Sequence, residues 1–163
     1  MRELGWNWPA ARVSRLIMAG ALMALLLWLQ SHFRLALVIG GSMLPGLNTG
    51  DLLLVNKKAY RKGEPARGDI VLAHYGQELI VKRVVGLPSE EVELERGHIL
   101  VNGAVFPEPY PIQTGPLNIS PGRLLPGRYA ILGDNRAMSA YETVHAVVSK
   151  EQIVGKVTWS IHL

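Results

Sequence analysis

The sequence contains no cysteine. Disulfides, thiolate catalysis and cysteine-ligated zinc are therefore excluded. The compartment is left open, because many extracytoplasmic domains do without disulfides. Aromatic residues are sparse at 7%, and charged residues make up only 18%. The formal net charge is +4. Its cations read as scattered, without a run of Lys or Arg and without interleaved aromatics, so nucleic acid is not an expected partner. Five histidines lie apart, with no close pair at metal-ligand spacing. Neither a metal nor another cofactor is expected. A Gly-x-Ser-x-Gly elbow and a phosphate-binding glycine loop are both missing, as are internal repeats and low-complexity segments. A Ser–His–Asp triad built on Asp134 with His145 or His74 stays compatible with the composition.

What is present begins with an apolar run. Hydrophobic residues make up 48% of the 163, and many of them fall between Leu16 and Phe33, a stretch without a formal charge. About 18 residues make a helix of roughly 27 Å, close to the thickness of a bilayer's hydrocarbon core. The run has no polar stripe, so it does not read as the amphipathic helix of a soluble core. No small-x-small cleavage site follows it, so an uncleaved anchor is favoured over a removed signal. Arg2, Arg12 and Arg15 precede the run and Arg34 follows it. The positive-inside rule then predicts a single-pass protein of the cytoplasmic membrane. Its organisation would be a cytoplasmic segment over 1–15, a transmembrane helix over 16–33 and an extracytoplasmic domain over 34–163. Trp6, Trp8 and Trp28 suit interfacial anchoring.

Beyond the run, short β-like segments alternate with Gly and Pro. Strands are predicted at 52–55, 69–75, 79–87, 91–101, 129–132 and 153–161. Arg96-Gly97 and Asn102-Gly103 carry hairpin-turn chemistry. Residues 106–127 are rich in Pro and Gly and predict an extended surface loop. No long amphipathic helix follows residue 40. The soluble part is therefore expected to be mainly β and antiparallel, sheet- or barrel-like.

Three segments could carry chemistry. Gly40-Gly41-Ser42-Met43-Leu44-Pro45 allows tight turning around a serine and can aim backbone N–H groups at one point, as an oxyanion hole requires. Taken alone, it is equally a plain turn. Lys82 and Arg83 sit in an otherwise apolar strand and face opposite sides of it, so at least one cation must meet buried surface. Burial lowers a lysine pKa and makes a neutral amine available as a general base; arginine stays protonated. Gly133-Asp134-Asn135-Arg136 is strong turn chemistry that can also supply hydrogen bonds to a catalytic centre.

The order of these pieces is more specific than any one of them. An apolar span is followed by Ser42-Met43-Leu44-Pro45, Gly50-Asp51, Arg67-Gly68-Asp69, Lys82-Arg83 and Gly133-Asp134-Asn135-Arg136 with Ser139. This resembles the type I signal peptidase family, in a minimal form, over residues 38–157. The resemblance implies a membrane-bound serine endopeptidase in which Ser42 is the nucleophile and Lys82 the general base. It implies that Gly40 and Gly41 shape the oxyanion turn and that Met43 helps wall the substrate pocket. Ser139, Asp134 and Arg136 would support the pair through hydrogen bonds and structure. Its substrates would be preproteins, cut after small residues of the Ala-x-Ala type, with a lipid surface as the other contact and no partner subunit.

The chain departs from the family pattern at four places. Gly40 stands where one branch has a serine whose hydroxyl completes the oxyanion hole, and Gly46 replaces a usual Thr. Tyr141 and Thr143 stand where the family has an Asp and an Arg that pair. Related expectations are a dedicated maturation peptidase for one precursor and a catalytically silent, membrane-bound peptide-binding β-domain.

Overall fold

The computed structural model describes residues 8–138 and 145–162. They divide into two compact units, with the boundary after Phe33.

The first unit is α1 (Trp8–His32). Its stretch Arg12–His32 has a mean hydropathy of 1.7 and is long and apolar enough to cross a membrane. The helix begins upstream of the uncharged run because Ala and Arg are good helix formers. Large apolar side chains are exposed all round it, among them Leu16, Met18, Leu22, Leu25 and Leu29, as a span facing lipid requires. At its C-terminus Ser31 Oγ donates to Trp28 O (2.7 Å), and His32 Nδ1 lies 2.9 Å from the same oxygen. Both contacts lie in the last turn of the helix.

The second unit is antiparallel β. Its strands are β1 (Phe33–Leu37), β2 (Leu52–Asn56), β3 (Ile70–Tyr75), β4 (Glu78–Gly86), β5 (Glu91–Glu95), β6 (His98–Val101), β7 (Ala104–Val105), β8 (Ile119–Arg123), β9 (Arg128–Leu132), β10 (Ala146–Ser149) and β11 (Ile153–Ile161). Seven form one sheet in the order β1-β2-β11-β3-β4-β9-β10, and four form a second in the order β7-β6-β5-β8. The two hairpins of the small sheet turn at Arg96-Gly97 (φ 49° and 79°) and Asn102-Gly103 (φ 50° and 79°), the doubly left-handed geometry that matches strand twist. Among the described residues no α-helix follows α1.

Alternation along the strands builds three apolar clusters. Val71, Val84, Ile131 and Val148 lie in one, on the inner face of the large sheet. Val85, Leu94, Ile99 and Leu132 lie in another, shared with the small sheet. Val38, Met43, Leu47, Leu53, Val55 and Leu72 form the third, directly beneath the Ser42 turn.

The expected surface loop at 106–127 needs correction. It contains β8, and it buries Leu117 and Leu124. It also delivers Glu108, whose carboxylate takes both terminal nitrogens of the fully buried Arg136 at 2.5 Å. Gln113 forms a parallel bridge with Asn135, its N–H donating to Asp134 O (2.9 Å) while Arg136 N–H donates to Gln113 O (2.8 Å). Proline and glycine set the local path of this segment, but its few apolar and acidic side chains fix where it packs. A buried arginine left without its carboxylate carries an uncompensated charge. Glu108→Gln is therefore expected to cost about 3 kcal/mol of stability, and Glu108→Leu with Arg136→Met to recover part of it. Urea unfolding of the variants measures both.

Candidate active site

Ser42 lies in a tight turn held from below and behind. Below it, Met43 is 1% exposed and Leu47 is 3% exposed, both packed in the third cluster. Leu44 N–H donates to Gly41 O (3.2 Å) and Leu47 N–H to Met43 O (3.0 Å). Gly40 enters the turn at φ +92°, a conformation open to glycine and strained for other residues.

Behind the turn stands Gly133–Arg136. Asn135 N–H donates to Ser42 O (3.0 Å), and Asn135 Nδ2 donates to Gly41 O (3.0 Å). A Cβ on Gly133 would come within 2.4 Å of Ser42 O, so only glycine lets the two backbones touch. Asn135 thus ties the box to the serine turn by two hydrogen bonds.

Lys82 Nζ lies 2.6 Å from Ser42 Oγ. Both cations of β4 are buried, Lys82 at 4% exposure and Arg83 at 7%. Desolvation lowers the Lys82 pKa to about 8, although the Asp134 carboxylate acts in the opposite direction. About a tenth of the amine is then neutral at pH 7. In that form Ser42 O–H can donate to Nζ; in the ammonium form Nζ donates to Oγ.

Arg83 faces the other way and holds Asp134. Its Nε donates to Oδ1 (2.9 Å) and its Nη2 to Oδ2 (2.6 Å), while Nη1 reaches Gly68 O (2.7 Å). The guanidinium carbon stands 3.9 Å from the centroid of the Tyr110 ring. This bidentate pair satisfies the 0%-exposed Asp134 and partly neutralises a charge that would otherwise act more strongly on Lys82.

A groove of roughly 600 Å³ runs to the Ser42–Lys82 pair, lined by residues 34–43, Leu72, residues 78–82 and Met138. Its long walls are strand edges. β1 is the last strand of its sheet, and β9 pairs with β4 only from Arg83 to Gly86. The stretch 78–82 therefore has an unpaired side, and a third extended segment fits between the two edges.

The structure brings together Ser42, Lys82, Gly40, Gly41 and Met43, with Asp134 one residue pair away. The Arg136 guanidinium instead serves Glu108 and Gly97 O. Ser139, Tyr141 and Thr143 lie outside the described residues. Sequence reasoning read Asn135 only as part of a box able to supply hydrogen bonds, and did not assign Arg83, Glu108 or Tyr110 a part. Arg83 alone left a signal, a second cation in an apolar strand.

The signal peptidase, peptidase S26, family model matches residues 10–162. The chain belongs to the signal peptidase S26 family. Similar relatives include a signal peptidase I of Bacillus caldolyticus, 38% identical over 137 residues and covering 74% of each chain. The signal peptidase I of Leptolyngbya laminosa is 35% identical over 126 residues, covering 71% of this chain and 62% of its own. A probable signal peptidase I-2 of Synechocystis is 32% identical over 123 residues, covering 71% and 56%. The chain thus spans about three-fifths of the length of the latter two.

Asp134 raises the Lys82 pKa, so Asp134→Asn moves it below its native value of about 8. A ¹³C NMR titration of the lysine side chains should show one resonance, absent in Lys82→Met, whose midpoint falls in the Asp134→Asn protein.

Proposed function

We propose that this protein is a signal peptidase I, a membrane-anchored serine endopeptidase that uses Ser42 and Lys82. The observation that carries the reading is the 2.6 Å approach of Nζ to Oγ at a lysine whose burial keeps its pKa near 8. A hydroxyl becomes a useful nucleophile when an adjacent base can take its proton. A buried, partly neutral amine is such a base near neutral pH. Family membership supports the same reading.

In this mechanism the preprotein lies extended between the edges of β1 and β4, its scissile carbonyl at Ser42. Ser42 Oγ attacks as its proton passes to Lys82 Nζ. The Ser42 N–H, in the turn shaped by Gly40 and Gly41, stabilises the oxyanion. The C–N bond then breaks, and the leaving amine takes the proton from Nζ. Water, losing its proton to Lys82 Nζ, attacks the acyl-enzyme; the ester C–O bond breaks and Ser42 Oγ takes the proton back from Nζ. Arg83–Asp134 and Asn135 hold the lysine strand and the serine turn in register. Met43 helps wall the groove that takes small side chains before the cut. In this reading the N-terminus lies in the cytoplasm and the sheet domain outside, which the bias of Arg2, Arg12 and Arg15 before the span supports. The signal peptide stays in the bilayer while the mature protein leaves outward.

The test is cleavage of a preprotein with an Ala-x-Ala site by the detergent-solubilised chain, read by mass spectrometry. Cutting after Ala-x-Ala is expected from the parent, rising with pH towards a midpoint near 8. Ser42→Ala and Lys82→Ala are each expected to lose on the order of 10³-fold or more. Lys82→Arg should be inactive at every pH, because its side chain stays protonated. Substantial activity in Lys82→Arg overturns the mechanism. A folded parent that leaves the preprotein uncut would direct the search to a single dedicated precursor or to peptide binding without cleavage.

A further inference from the structure

We infer that the loop after β2, carrying Lys57, Lys58, Arg61 and Lys62, is a docking surface for the anionic headgroups of a lipid bilayer. The inference rests on the reading of α1 as a membrane span. Although the cations read as scattered over the whole chain, four of them fall within these six positions, and all four side chains are exposed.

The loop is built to hold them outward. Lys58 N–H donates to Asn56 Oδ1 (2.8 Å), and Arg61 N–H donates to Lys58 O (3.1 Å). Between the two pairs of cations stands Tyr60. Its ring packs on the large-sheet core, and its hydroxyl donates to Asp69 Oδ2 (2.8 Å). An inward anchor flanked by outward cations is an ordered surface, so little conformational freedom is left to lose on docking.

The acids next to the loop are already engaged. Glu64 pairs with Lys150 (2.7 Å) and Asp69 with Lys156 (2.6 Å). Among the described residues, no carboxylate pairs with Lys58, Arg61 or Lys62. Lys58, Arg61 and Lys62 thus give the loop a local excess of positive charge that an anionic surface would complement.

Topology sets where that excess lies. Val38 N–H donates to Asp51 O and Gly50 N–H to Val38 O, both at 2.9 Å, so β1 and β2 run antiparallel. Counting back along both strands sets Arg34 level with Val55. Lys57 follows two residues later, about one strand spacing, roughly 5 Å, to the side. The basic loop therefore leaves the sheet at the end where the chain enters it, beside a fifth exposed cation, Arg34. On the neighbouring β11, Trp159 is exposed and stands level with Leu54. An exposed tryptophan beside a basic rim fits the interface of a bilayer, where acyl chains and headgroup charge meet. An acidic polypeptide would match the charge but not the exposed tryptophan.

The chain has no cysteine, so one introduced thiol takes a fluorophore at a single place. Gly63→Cys serves, since a Cβ there meets nothing within 4 Å. The full chain is placed in nanodiscs of phosphatidylcholine alone and in discs containing roughly one-third phosphatidylglycerol. Both carry a lipid spin-labelled at the headgroup as quencher. Quenching is expected to be at least about threefold stronger in the anionic discs, to fall at high salt, and to be lost in K57Q/K58Q/R61Q/K62Q. The paired variants K57Q/K58Q and R61Q/K62Q should each lose part of it, which keeps the test available if the quadruple variant folds poorly. Equal quenching in the two discs, or strong quenching that survives the substitutions, overturns the proposal. So does equal quenching combined with an emission shift on adding poly-glutamate, which would assign the loop to an acidic polypeptide. Co-elution with the discs reports anchoring, and preprotein cleavage reports catalysis. Failure of the lipid contact is therefore distinguishable from failure of either reading.

Discussion

The centre of this structure is an ammonium group placed where water cannot solvate it well. Lys82 is almost fully buried on β4, and a lone buried charge is costly enough to shift its own protonation. Two features keep the arrangement tolerable. Ser42 Oγ provides a hydrogen-bond partner in either protonation state, and the nearby Asp134 lessens the shift. The resulting pKa near 8 is a compromise between burial, which alone would push it lower, and a carboxylate that holds it up. A surface lysine at the same place would be a poor base, and a deeper one without Asp134 would ionise less readily still.

The rest of the domain maintains that compromise. Arg83, the next residue on the strand, points the other way and clasps Asp134, so a single β-strand presents Lys82 to the groove and the neutralising cation to the core. Gly133 and Asn135 press the same box against the Ser42 turn, where a single added carbon would collide with the serine carbonyl. The segment around Glu108 and Gln113 locks the box from its far side. Because bidentate ion pairs, backbone-to-backbone bonds and the Asn135 amide act together, the geometry at Ser42 is fixed by a chain of short-range constraints rather than by one strong bond.

The same sheet explains the groove. β4 gains a second neighbour only beyond Lys82, and β1 ends its sheet. Unpaired edges are usually a liability because they recruit other strands. Here two of them line one groove that ends at Ser42, and recruitment of an extended peptide is the use to which they are suited.

Much of this was legible in the residues. An uncharged apolar run fixes a lipid-compatible helix because length and hydropathy are local properties. Alternation and turn dipeptides reveal most strands for the same reason, including both hairpins of the small sheet. Strands β1, β7, β8 and β10 were not read, since their residues are either continuous with the apolar run, interrupted by Pro and Gly, or few. Ser42, Lys82 and the Gly133–Arg136 box were recognisable from their order along the chain. Their contacts were not: Arg83 with Asp134, Asn135 with Gly41 and Ser42, and Glu108 with Arg136 join residues 28 to 94 positions apart. The sequence by itself determined which side chains were available and which segments prefer to be helix, strand or turn. Only the tertiary structure decided which cation is buried beside the serine and which carboxylate compensates it, because desolvation and pairing depend on distances that exist only once the sheet has closed.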